Sequence, residues 1–143
     1  PPTCTCSMSF PADLRTLAPV LLAVVVAAVG CSDEPPAVEV GEGRMPASAP
    51  AGFPVPAGAE IGATMVDHDN SVTEVAITST MEVDQLIAYY TIELVGAGYV
   101  VQRSEPSGTD WEIRFRTGDL LGTVVLRPSA EGGSTALLRL NTG

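Results

Sequence analysis

From Glu60 onward, apolar and polar residues follow two distinct periods. Ile61, Ala63 and Met65 alternate with polar or small neighbours, and Val75 and Ile77 lie two apart beyond the polar run Asp67 to Ser71. A period of two with a turn between predicts a β-hairpin. The period then lengthens. Val83, Leu86, Ile87, Tyr90, Leu94 and Ala97 fall on one stripe at helical spacing, which predicts a helix with one buried face. Ser79 followed by Glu82 reads as a capping box at its start, and Gly96 or Gly98 as its stop.

Beyond the helix the period of two returns four times. Tyr99 to Arg103 and Trp111 to Arg116 flank the turn Pro106 to Asp110, and Trp111, Ile113 and Phe115 share one face. Thr117 to Asp119 then turns into Leu120 to Arg127, and Ala130 to Gly133 into Thr135 to Asn141. Strands joined by turns this short pair antiparallel. The expected fold is α+β: an antiparallel sheet of about six strands in the order ββαββββ, with one helix packed on one face.

Upstream, residues 32–59 show no sustained apolar period and carry prolines at 35, 36, 46, 50, 54 and 56. Such a segment buries too little to offset its ordering entropy, so it reads as a Pro/Gly/Ala-rich tether. At about 3.1 Å per residue in polyproline form, a tether of this length spans several nanometres. Phe53 and Val55 stand two apart at its end, spaced to dock on the domain together.

Further upstream, Arg15 precedes the uncharged run Leu17 to Gly30, and Cys31 is followed closely by Asp33, Glu34, Pro35 and Pro36. The run is too short for a membrane span but has the proportions of a cleaved export signal. Ala28, Val29, Gly30 and Cys31 resemble the lipobox of bacterial lipoproteins, although Ala28 stands where an aliphatic residue is usual. The resemblance covers the first fifth of the chain. It implies cleavage before Cys31, acylation of that cysteine with at least a diacylglyceryl group, and anchoring on the extracytoplasmic side of a membrane, the outer one if the cell has two. The organisation then reads as residues 1–30 (upstream residues and signal), 31–59 (lipidated Cys31 and tether) and 60–143 (domain). Met8 is a plausible start for the signal, with Cys4 and Cys6 upstream of it.

All three cysteines lie at or before Cys31, so the domain has no disulfide to draw on. All seven basic residues are arginine, and against 17 acids they leave a net charge of −10. Asp13 and Arg15 cancel within the signal, so the mature part keeps that balance. This argues against nucleic acid as a partner and against electrostatic adhesion to anionic lipid.

Candidate chemistry is sparse. His68, the one histidine, lies between Asp67 and Asp69 in the hairpin turn. Adjacent residues on an extended chain point apart, and Asp and Asn favour turns for local hydrogen bonding, so no metal site is read there. Ser71, Ser104 and Ser107 sit in turn-like segments without a nucleophile-elbow setting. Glu74 and Glu112 are acids on strands with nothing to pair them across a cleft. The glycine pairs Gly41/Gly43 and Gly132/Gly133 lack the lysine and strand–helix setting of a phosphate loop. No cofactor and no enzymatic activity are expected.

Two surfaces stand out. If Trp111, Ile113, Phe115, Val124, Leu126, Leu138 and Leu140 face inward, then Arg114, Arg116, Arg127 and Arg139 face outward, with Val125 and Leu137 among them. Arginine beside apolar surface is a composition that interfaces favour. Ala88, Tyr89, Ile92 and Val95 lie off the main stripe of the helix. The expected function is a non-enzymatic interaction or structural module of the cell envelope, with an envelope protein as partner at the four arginines. The alternative is a lipoprotein that captures a small ligand or peptide on the same face, and a hydrolase is the remote third reading.

Overall fold

In the computed structural model, residues 36–142 are described, and they form one compact unit. Seven strands make a single antiparallel sheet: β1 (Val38–Glu42), β2 (Glu60–Asp67), β3 (Val72–Ser79), β4 (Val100–Ser107), β5 (Asp110–Thr117), β6 (Leu120–Pro128) and β7 (Ser134–Thr142). One helix, α1 (Val83–Gly96), joins β3 to β4. The spatial order is β1-β2-β3-β7-β6-β5-β4. The last four strands therefore form a meander that returns to pair with β3, and α1 spans the meander on one face, touching β4, β5, β6 and β7.

The α+β class and the order from Glu60 onward agree with the alternation in the sequence. The sheet has a seventh strand, however, and the proline-rich segment is not a free tether over residues 38–59. Val38–Glu42 pairs with Ala63–Asp67 of β2, and the chain then folds back over the sheet. Ala49, Phe53 and Pro56 are buried, and Met45, Val55 and Ala59 pack against the core. Prolines at this density do not prevent docking, because Pro46, Pro50 and Pro56 each open a tight turn, their carbonyls accepting from Ala49, Phe53 and Ala59 at 3.0, 3.2 and 3.0 Å.

The core lies between the sheet and a lid of two parts, α1 and the returning strap of residues 43–59. Val75, Ile77, Ile113, Phe115, Val124, Leu126, Ala136, Leu138 and Leu140 come from the sheet, and Leu86, Tyr90 and Leu94 from the helix. Phe53 reaches from the strap into the aromatic cluster, with ring centroids 6.2 Å from Tyr90, 5.9 Å from Tyr99 and 5.9 Å from Phe115. Trp111 shares the inner face but is only half-buried, its Nε1–H donating to Ser104 Oγ at 2.9 Å.

Two details correct the sequence reading. The helix is capped by Glu82, whose backbone N–H donates to Gln85 Oε1 at 3.2 Å. Ser79 instead ends β3, where its hydroxyl accepts from the Met81 N–H. At the other end Gly98, at φ +88°, reverses the chain, so that Tyr99 N–H donates to Leu94 O and Gly98 N–H to Val95 O. In β2 an extra residue between Ile61 and Thr64 forms a bulge. The alternation Ile61, Ala63, Met65 therefore breaks: Ile61 and Thr64 pair with the inward Ile77 and Val75, while Ala63 is exposed.

Candidate functional site: the uncovered sheet face and the cleft at its edge

The face of the sheet opposite α1 carries most of the domain's arginines. Cross-strand register places Val40, Met65, Glu74, Arg139, Thr123, Arg114 and Arg103 in one row. The next row holds Ala76, Leu137, Val125 and Glu112. Arg114, Arg116, Arg127 and Arg139 are all exposed here, alternating with the buried residues of β5, β6 and β7.

The charges are matched by near neighbours. Arg114 pairs with Glu112, Arg127 with Asp110 at 2.9 Å, and Arg139 with Glu74 at 3.7 Å. Arg103, which the sequence reading omitted, joins the face opposite Arg114 and pairs with Glu105 at 2.6 Å. A bulge between Val101 and Arg103 is what turns it there, and no simple alternation signals such a shift. Among the described residues Arg116 makes no ion pair; it lies between the exposed Val100 and Leu121. The face is thus a lattice of arginine–carboxylate pairs around an apolar strip, not a bare cationic patch. Exposed pairs of this kind contribute about 0–1 kcal/mol each, so either member is easily recruited by a competing charge. Glu74, Gln102, Arg114, Leu121, Val125, Leu137 and Arg139 line an open concavity of about 530 Å³ on this face.

A second recess lies at the β1 edge. Glu39, Val40, Arg44, Met45, Ser48, Thr64, Val66 and His68 line a cleft of about 500 Å³ between the first two strands and the strap. His68 Nε2 stands 3.3 Å from Glu39 Oε1. Ser48 Oγ accepts from the buried Thr73 hydroxyl at 2.7 Å, which fastens the strap to β3. The neighbouring turn is organised by Asp67, whose carboxylate accepts from the side chain and backbone N–H of Asn70 at 2.8 and 3.0 Å. Those bonds, with the Asn70 side chain contributing most, hold the Asp67 pKa below its ordinary value. Asp67 and Asp69 are therefore not gathered around His68, and among the described residues no three His, Cys, Asp or Glu side chains cluster as metal ligands.

The sequence reading missed this cleft because it assigned Glu39, Arg44 and Ser48 to the tether; the alternation of Val38 and Val40 about Glu39 was the available signal. Cys31, Cys4, Cys6 and the Leu17 to Gly30 run lie outside the described residues. Comparison of the chain with protein-family models, with curated proteins and with solved structures gives no match, so the functional reading rests on sequence and geometry.

Proposed function

We propose that this chain is a lipoprotein anchored through Cys31 on the extracytoplasmic side of a membrane, and that its domain is a non-enzymatic interaction module of the cell envelope. The observation that carries the second half is the uncovered sheet face. One side of the sheet is sealed by α1 and the strap, while the other presents arginines and acids interleaved with Val125, Leu137 and Leu121. Arginine flanking a partly apolar strip suits a protein partner, which meets Arg116 and Arg114 with carboxylates of its own.

The test is capture of envelope proteins after mild detergent extraction, comparing wild type with Arg114→Ser/Arg116→Ser. The double variant folds and remains membrane-bound but recovers fewer partners, and wild-type capture weakens as salt is raised. Equal recovery with equal salt dependence shows that the face is merely solvated. The concavity favours one further reading, capture of a small anion or peptide between Arg114 and Arg139. In that case binding survives in the absence of any envelope protein.

A further inference from the structure

The two edges of the sheet are built differently. The β4 edge is blunted: it is bulged between Val101 and Arg103, carries Arg103 and Glu105, and contains Pro106, which has no N–H to offer. The β1 edge has neither bulge nor proline, and Val40 is the most exposed of the large apolar residues described, at 80%.

The hydrogen bonds fix which way the β1 backbone points. His68 N–H donates to Ala37 O at 2.8 Å, and Gly43 N–H to Gly62 O at 3.1 Å. Antiparallel bonding alternates, so Ala37, Glu39, Gly41 and Gly43 address β2. Val38, Val40 and Glu42 turn their N–H and C=O groups away from the sheet.

We infer that β1 is a self-association edge, pairing antiparallel with β1 of a second copy across a two-fold axis at Val40. That register is self-complementary. Val40 meets Val40, and Val38 meets Glu42 of the other copy, so each of the three outward residues donates one bond and accepts one. Glu39 falls opposite Gly41, so no two acids stand directly across from each other. Glu39 also stays on the cleft side with His68, while Val40 shares the outer face with Met65. The axis is perpendicular to the sheet, so the two outer faces become one continuous surface. This holds whether or not that face has a partner.

Sedimentation velocity on residues 34–143, which hold all of the core found among the described residues, tests it. A monomer–dimer equilibrium is expected. Salt strengthens it, because both copies are acidic. Val40→Pro removes an outward N–H without touching the β2 ladder and weakens association by about tenfold or more. Should that variant misfold, Val40→Lys places like charges at the axis and keeps the backbone intact. Val40→Cys, the sole thiol in that segment, forms a disulfide-linked dimer under mild oxidation, since facing Cα atoms lie about 5.5 Å apart. A wild type that stays monomeric up to millimolar concentration overturns the inference. So does undiminished dimerisation of both the proline and the lysine variant, which places the contact elsewhere.

Discussion

The ring of Phe53 stands edge-on to Tyr99, centroids 5.9 Å apart with the planes at 71°. One contact thereby joins the proline-rich strap to the residue just before β4. Phe53 is 6% exposed and also touches Tyr90 and Phe115, so the strap closes the core. Phe53→Ala removes a large buried aromatic and should cost about 3–5 kcal/mol. For a domain of this size that is a large share of total stability. Urea unfolding followed through Trp111 emission measures it. A truncation beginning at Glu60, where the sequence alone places the domain start, should be less stable still.

Gly122 sits directly across from Phe115, whose ring lies over its Cα. A Cβ at this position would enter the ring, and the neighbour is an aromatic face fixed in the core. Gly122→Ala should therefore destabilise by about 1–3 kcal/mol through overpacking. Adding Phe115→Leu should recover part of that loss, because the two effects share one volume. Purely additive losses in a double-mutant cycle would remove the close approach as the cause.

How far the fold could be read in advance depended on whether period and composition agreed. In β5 the alternation of Trp111, Ile113 and Phe115 with Glu112, Arg114 and Arg116 is unbroken, and the register preserves it. In α1 the stripe Leu86, Tyr90, Leu94 is the buried one. Where they conflicted, composition misled. The prolines around Met45 to Pro56 suggested a tether, yet each short turn they open keeps the strap close to the sheet, where Phe53, Ala49 and Pro56 are buried and Ser48 bonds Thr73. Bulges escaped for another reason: an inserted residue in β2 or β4 flips the faces, and nothing local in the sequence marks it. The outward arginines were legible from alternation. The partners Glu74 of Arg139 and Asp110 of Arg127 were not, because ion pairing depends on cross-strand register and on rotamers.

Tyr90 is wholly buried, and its hydroxyl has no hydrogen-bond partner among the described residues. Burial, with Tyr89 beside it, pushes its pKa far above the ordinary 10.0. Tyr90→Phe removes an unpaired polar group from the core and should raise stability by about 1 kcal/mol at neutral pH. The sign at alkaline pH follows from linkage. The folded state keeps the phenol neutral, so its contribution is full below pH 10.0 and is lost as the unfolded chain ionises above it. The variant should therefore lose stability less steeply than wild type between roughly pH 10 and 12. A variant less stable than wild type at neutral pH would mean that the hydroxyl is bonded after all.

Anchoring is the remaining test, and it concerns Cys31, outside the described residues. The apolar run before it, Gly30 beside it and the acidic, proline-bearing stretch after it motivate acylation. A single acyl chain binds membranes only marginally, whereas two hold firmly, so a diacylglyceryl cysteine should keep the protein in the membrane fraction through salt and carbonate washes. Cys31→Ser removes the thioether site and should leave the protein unprocessed at its signal or released in soluble form. Radiolabelled palmitate should enter wild type and not the variant. The thermal unfolding of the domain should be unchanged, since among the described residues the core begins well beyond Cys31. Equal labelling and equal detergent-dependent recovery of both forms would mean that this cysteine is not the anchor.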